Sequence, residues 1–319
     1  MSIRVLRPGL LTTVQDLGRW GKQRYGVVVG GAMDPFALRA ANLLVGNQEG
    51  AAALEMTLLG PTLHLEDDAV VALCGGEFRP KYGDQTLPFW RPFFVEKGTT
   101  LNFGSAISGC RGYLAIAGGI DVPLLLGSRS TYLPGKFGGH KGRPLKEGDF
   151  LSMGETTLAV SPIHCHWRIG GSVMPAYSEN PTLRVTLGSE FDWLTPQSQE
   201  QLFSAEFEVT PQLDRMGYRL SGPPLELATP RELISEAVCP GVFQVPGDGQ
   251  PILLMADCAT TGGYPKAACV VGVDLPLAAQ LRPGARLRFA AILLAEAQSL
   301  FRQRENDIQR LKVGLCFKR

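Results

Sequence analysis

VEKGTTLNF (residues 95–103), LKEGDFLSM (145–153) and LRPGARLRF (281–289) share one pattern. Each opens on an apolar residue, passes through a short charged step to a glycine, and then alternates apolar with polar residues. A glycine ahead of such an alternation is the grammar of a tight turn feeding a half-buried β-strand. The chain also carries two similar strand-like starts, IRVLRPG at 3–9 and LRVTLGS at 183–189. Together these signals predict two related β-barrel-like halves, joined near RIGGSVMPAYSENP (168–181). Ordinary β-turn usage would give the same recurrence without any duplication. The expected division is 1–170 for an N-terminal domain and 180–319 for a C-terminal domain with a terminal helix.

The totals agree with this reading. At 319 residues the chain exceeds the size at which a single core usually stops growing. Apolar residues make up 45% and charged residues 19%, which is ordinary globular material, and 38 glycines with 23 prolines favour many turns. A net charge of +1 gives no electrostatic case for nucleic acid or an anionic membrane as the main partner. Seven scattered cysteines without a C-x-x-C pair fit reduced thiols in the cytoplasm better than a disulfide framework. The N-terminus lacks the apolar core of a signal peptide, and no run approaches the ~18 apolar residues of a membrane span.

Three helices punctuate the strands. DPFALRAANLLVG (34–46) has Asp34 as a cap, Pro35 in the first turn, Gly46 as a stop, and Ala37, Ala41, Leu44 and Val45 as an apolar stripe. TPQSQEQLF (195–203) starts in the same way on Thr195 and Pro196. A third helix is expected over 295–311, with Leu300, Phe301, Ile308 and Leu311 on one side. Six glycine pairs punctuate the chain, most of them read as strand corners.

Several stretches carry chemistry-bearing residue types. DCATTGGYPKAACV (257–270) collects Asp257, Thr260, Thr261, Gly262, Gly263, Tyr264 and Lys266 between two apolar runs, with Gln250 upstream. Hydroxyls, bare main chain and an ammonium suit a small planar amide or lactam, with the cation stabilising developing negative charge. An ordinary turn remains the alternative; the functional reading expects a crevice between the two barrels. The loop GSRSTYLPGKFGGHKGRP (127–144) offers Arg129, Lys136, Gly138 and Gly139 for an anion or phosphate, although its glycine spacing and Phe137 exclude a Walker A loop. A solvated surface loop reads equally well. Arg215 and Arg219 in QLDRMGYRLSG (212–222) would share one strand face and grip a carboxylate or phosphate, unless they are simply surface arginines. His164 and His166 form an incomplete metal set, so no metal is expected. In GGAMDPF, capping by Asp34 outweighs an anion site at the helix start.

The motifs TTVQDLGRWG (12–21), GGAMDPFALRAANLLVGN (30–47), YLAIAGGIDVPLLLGSRSTY (113–132), DRMGYRLSGPPL (214–225) and VPGDGQPILLMADCATTGGYPK (245–266) resemble the KipA family. This is the family of the C component of ATP-dependent 5-oxoprolinase, related to biotin-dependent carboxyltransferases and to the second component of allophanate hydrolase. The resemblance spans nearly the whole chain. It implies a mainly β fold of two cyclophilin-like β-barrel domains and a heteromer with a KipI-like B component and an A component. It also implies cleavage of 5-oxoproline to glutamate, with ATP as co-substrate of the complex. Lys266, Tyr264 and Asp257 are then the catalytic candidates, Gln250, Thr260, Thr261, Gly262, Gly263, Arg215 and Arg219 the substrate contacts, and Arg129, Lys136, Gly138 and Gly139 the anion contacts. Val28, Val29 and Gly30 depart from the family's Pro-Ser step before Gly-Ala-Met-Asp, and Lys136, Phe137 and His140 replace smaller or apolar residues. No Ala-Met-Lys-Met context for biotin attachment is present, so biotin would come from another chain. Two other readings compete: a carboxyltransferase or amide-hydrolase component for urea-like substrates, and a non-enzymatic binder of a KipI-like kinase inhibitor.

Overall fold

The computed structural model describes residues 2–83, 85–156 and 167–316. The chain is mainly β, with four α-helices among the described residues: α1 (Pro35–Leu44), α2 (Pro196–Ser204), α3 (Leu275–Ala279) and α4 (Leu294–Cys316). It divides into two compact units. The first holds Met1–Arg19, Gly30–Pro175 and Asn306–Arg319; the second holds Trp20–Val29 and Ala176–Glu305. Among the described residues no helix is long and apolar enough to cross a membrane.

The glycine pattern of 95–103, 145–153 and 281–289 is one device used three times. Gly98, Gly148 and Gly284 have φ of 82°, 82° and 83°. Each donates its N–H over 2.8 Å to a strand carbonyl, that of Leu65, Val5 and Val209 respectively. The same strand residue returns its own N–H to the carbonyl of the residue after the glycine, Thr99, Asp149 or Ala285. The positive φ turns the chain back, and the alternation that follows sinks Leu101, Leu151 and Leu287 into their cores at 0–1% exposure. Two copies build the first unit and one the second.

In the first unit the strands form a seven-stranded and a five-stranded sheet. The strand Ser2–Arg7 lies between Phe150–Met153 and Thr62–Leu65, with Ile3 opposite Leu151 and Val5 opposite Leu63. The strand Ser108–Ile116 is central to the other sheet, flanked by Ala53–Thr57 and Ala69–Glu77. Inward residues of both sheets, among them Ile3, Val5, Leu54, Met56, Leu73 and Leu114, form one core. Gly75 and Gly112 face each other across the central pair. A Cβ on Gly112 would lie 2.7 Å from the Phe78 ring, so the bare position lets that ring pack into the core. Helix α1 starts as expected: Asp34 accepts from Ala37 N–H at 2.9 Å, and Pro35 follows. It is buried on nearly every side rather than along one stripe, because it packs against the strands Ser108–Ile116 and Ala69–Glu77. Its one cationic side chain, Arg39, pairs with Glu49 at 2.8 Å.

The second unit is a closed seven-stranded barrel. Closure comes from a parallel pairing of Thr182–Leu187 with Arg286–Ala291, Leu183 lying opposite Phe289. Phe207, Phe243 and Phe289 fill the interior, with the Phe243 and Phe289 ring centroids 4.7 Å apart in an edge-to-face contact. Helix α2 is capped by Thr195, which accepts from Ser198 N–H. Along α4 the buried residues are Ile308 and Leu315; Phe301, expected on the same side, is 53% exposed.

Candidate functional site

The segment 257–270 leaves the barrel strand Ile252–Leu254, makes a short strand Thr261–Gly262, and re-enters the barrel as Lys266–Val270. Its main chain is already engaged. Thr261–Gly262 pairs with Glu236–Ala237, and the Thr260 carbonyl accepts from Val238 N–H at 3.1 Å. Gly262 is bare for another side chain: a Cβ there would sit 2.5 Å from Gln244 Nε2, which donates to the Tyr264 carbonyl. Thr261 and Tyr264 remain exposed and Thr260 half-buried.

Lys266 is fastened at both ends. Its N–H donates to Glu190 Oε2 at 2.9 Å, and its Nζ lies 3.3 Å from the same oxygen and 2.6 Å from Glu236 Oε2. Burial works against the ammonium, but the hydrogen bonds and charges of Glu236 and Glu190 outweigh it and raise the lysine above its ordinary value. Burial likewise opposes the Glu190 carboxylate, and the Lys266 N–H, the Ser189 hydroxyl and the ammonium bring it below its usual range. A lysine held this way is a cation fixed between two carboxylates. Glu190 and Glu236, the partners of Lys266 that sequence reasoning missed, lie 76 and 30 residues away from it.

Arg215 and Asp257 are given to each other. Arg215 Nε and Nη2 reach Asp257 Oδ2 and Oδ1 at 2.9 Å each, with side chains 5% and 1% exposed. The expected shared face of Arg215 and Arg219 does not form, because a turn at Asp214–Gly217 precedes the strand Gly217–Ser221 and breaks the alternation. Arg219 is exposed, 3.6 Å from Asp248. Gln250, expected to read a ligand amide, instead closes a two-bond clasp on Gly222: Nε2 donates to its carbonyl at 3.2 Å and Oε1 accepts from its N–H at 3.1 Å.

A cleft of about 700 Å³ opens beside Tyr264. Gly263, Tyr264 and Pro265 form one wall, Pro246–Gly249 a second, and Leu225–Leu227 with Arg231 and Glu232 lie among the other lining residues. Arg231 stacks over the Trp193 ring, 5.0 Å from its centroid. Of the expected substrate contacts the fold brings Gly263 to this cleft, and of the catalytic candidates Tyr264. Arg219 lines a separate cleft of about 420 Å³ with Met216 and Cys258.

The basic loop lies in the first unit and is built for packing. A Cβ on Gly138 would meet the Ser130 carbonyl at 2.1 Å, and one on Gly139 the Thr131 hydroxyl at 1.8 Å. The Gly139 N–H already donates to the Arg129 carbonyl. Arg129 donates from Nε to the Val122 carbonyl at 2.8 Å and lies 3.4 Å from Asp121. Beneath the loop, Asp16 accepts from Ser128 and Ser130 hydroxyls and from Arg129 N–H, while buried Arg19 donates to the Ser130 carbonyl and lies under the Phe137 ring. Lys136 is exposed, at the rim of a cleft of about 540 Å³ lined also by Gly138, Gly139 and Phe150. His164 and His166 lie outside the described residues; among the described residues no group of three or more His, Cys, Asp or Glu is placed to hold a metal.

The family model described as "carboxyltransferase domain, subdomain A and B" matches residues 25–291. The chain belongs to this carboxyltransferase-domain family. Within it, the chain is 38% identical over 301 residues to the C component of 5-oxoprolinase from Haemophilus influenzae, covering 94% of each protein. It is 39% identical to the corresponding 5-oxoprolinase component of Escherichia coli, covering 92% of this chain and 93% of the relative. The carboxyltransferase-domain fold also matches the crystal structure of Kluyveromyces lactis urea carboxylase with a TM-score of 0.91 and 32% identity, over 97% of this chain and 29% of that one.

Proposed function

We propose that this chain is the C component of an ATP-dependent 5-oxoprolinase, working in the cytoplasm with a KipI-like B component and an A component. The observation that carries the reading is the near full-length identity of 38–39% to the C components of two bacterial 5-oxoprolinases. The reaction opens a lactam to L-glutamate. Amide resonance protects the lactam; phosphorylation of its carbonyl oxygen removes that protection and leaves a carbon that water attacks. In this reading the Tyr264 cleft holds 5-oxoproline, with the Arg231 guanidinium toward the substrate carboxylate and the Tyr264 hydroxyl toward the lactam edge. Lys266, clamped by Glu190 and Glu236, positions the cleft wall through Pro265. Asp257, Arg215 and Gln250 hold the barrel together around it. ATP belongs to the assembled complex: the N–H of Gly139 donates to the Arg129 carbonyl, and the Arg129 guanidinium donates to the Val122 carbonyl and lies beside Asp121.

Reconstitution tests this. The chain mixed with the A and B components, 5-oxoproline and MgATP should release glutamate and ADP in equal amounts, and the chain alone none. Absence of glutamate from that mixture, with a known C component active in its place, overturns the reading. The match to urea carboxylase supports a second reading, transfer of a carboxyl group to a urea-like amide from biotin carried on another chain. Carboxylation that depends on a biotinylated carrier protein would select it.

A further inference from the structure

Three of the chain's cysteines, at positions 239, 258 and 269, come together on the second unit, and neither the fold nor the proposed reaction uses them. Cys239 opens a turn that leads into the barrel: Val242 N–H donates to the Cys239 carbonyl at 3.2 Å. Val242 is the ladder partner of Cys269 on the neighbouring strand. The turn therefore folds Cys239 back over Cys269, whose Sγ would lie 3.7 Å from a Cβ placed on Gly241, in the same turn. The two thiols are within hydrogen-bonding reach of each other, and the Val270 carbonyl, 3.8 Å from Cys269 Sγ, is the other acceptor there. Cys239 is exposed, Cys269 half-buried and Cys258 buried.

We infer that Cys239 and Cys269 form a site of reversible oxidation, in which a hydroperoxide oxidises exposed Cys239 and Cys269 resolves it to a disulfide. The Cys239 thiolate attacks one peroxide oxygen; the O–O bond breaks, sulfur gives up two electrons, and the leaving oxygen departs protonated as water or alcohol. The Cys269 sulfur then attacks the sulfenic sulfur; the S–S bond forms, the S–O bond breaks, and hydroxide leaves with the Cys269 proton as water. Each peroxide thus converts two thiols into one disulfide. Exposure assigns the roles in this order, since a peroxide reaches exposed Cys239 before half-buried Cys269, and the electrostatics run the same way. The hydrogen bond from Cys269 lowers the Cys239 thiol below its ordinary value against the effect of burial, which favours the reactive thiolate. The same hydrogen bond, with burial, pushes Cys269 up, which suits a resolving thiol that keeps its proton until it attacks. Cys258 is pushed up to about 12 by burial and by the charges of Cys239 and Asp257, and stays inert. The disulfide would tie the turn after Glu236–Ala237 to the barrel strand Lys266–Val270. The inference does not depend on which reaction the chain serves.

The test uses the intact chain at neutral pH with a small excess of hydrogen peroxide, followed by denaturation, alkylation of remaining thiols, digestion and non-reducing peptide mass spectrometry. The expected result is a Cys239–Cys269 linked peptide pair lighter by two hydrogens than its reduced parts. Both alkylated forms should be lost together and return after dithiothreitol, while Cys258 remains fully alkylated. In Cys269→Ser, dimedone should instead trap a sulfenic acid at Cys239. Cys239 left alkylatable at a peroxide dose that consumes free cysteine in the same tube, or a bridge from Cys239 to any other cysteine, overturns the assignment. The mapping of the unaltered chain decides this even if the variant fails to fold.

Discussion

Replacing Arg215 or Asp257 separates a structural ion pair from a catalytic one. The two side chains are 5% and 1% exposed and share two bonds of 2.9 Å. Removing one partner alone breaks both charge-assisted bonds in a site that water cannot reach. Such a loss costs about 3–5 kcal/mol, so Arg215→Met and Asp257→Leu should each lower stability by that much. The double variant should recover most of it, because two apolar side chains in a buried site leave no charge unpaired. The main-chain bond from Asp257 N–H to the Arg215 carbonyl at 2.8 Å survives in every variant and keeps the two segments in register. Urea unfolding of the four proteins, followed by circular dichroism, gives a coupling energy of about 3 kcal/mol or more if the pair acts as a unit. Glutamate formation by the double variant in the reconstituted complex should stay within about threefold of the parent, roughly 0.7 kcal/mol of barrier. Single variants that cost less than about 1 kcal/mol, or a stable double variant that has lost all turnover, would refute the structural role.

The three glycine turns offer a test free of steric clash, since nothing lies within 4 Å of a Cβ on Gly98, Gly148 or Gly284. Alanine at each should cost only the torsional term, about 1 kcal/mol by urea unfolding, and asparagine less; a neutral alanine would show that the positive φ is not required. At Lys266, Glu190→Gln should cost about 2 kcal/mol and Glu236→Gln under about 1, because Glu190 is 7% exposed and Glu236 54%; equal losses would contradict the clamp. The pH dependence carries opposite signs at its two ends. Glu190 is depressed, so its contribution is full above about 4.3 and fades as pH falls through its lower folded value. Lys266 is raised, so its contribution is full below about 10.4 and fades as pH rises through its higher folded value. Lys266→Met should flatten the alkaline limb of a stability–pH profile, and an unchanged limb would sink this account. Asp149 is held far below the carboxylate range, chiefly by its hydrogen bond from Arg143 against the cost of burial. Asp149→Asn should therefore remove stability present above about 3.9 and weaken the acid-side fall in thermal unfolding.

What was legible in the sequence is what a few neighbouring residues decide among themselves. A glycine four places into an apolar-led step must turn, and it does so at 98, 148 and 284 with nearly one φ. Asp34-Pro35 and Thr195-Pro196 start helices because a cap and a ring-fixed φ act within one turn. The site was less legible because its charges are settled by partners far along the chain. Asp257 meets Arg215 across 42 residues, and buried Arg19 meets Ser130 across 111. An isolated sequence shows a carboxylate or a guanidinium but not whether it has already been neutralised, and a neutralised pair has little left for a ligand. Gly262 makes the same point for bare main chain. A glycine marks a close approach, and the sequence does not say by what; here Gln244 fills the space, so the open surface begins at Gly263 and Tyr264, where the large cleft lies. Had Gly262 been cleared for substrate, Gly262→Ala would block binding and spare the fold. With Gln244 Nε2 only 2.5 Å away, it should instead move that amide off the Tyr264 carbonyl, at a cost of about 1 kcal/mol whether or not substrate is present.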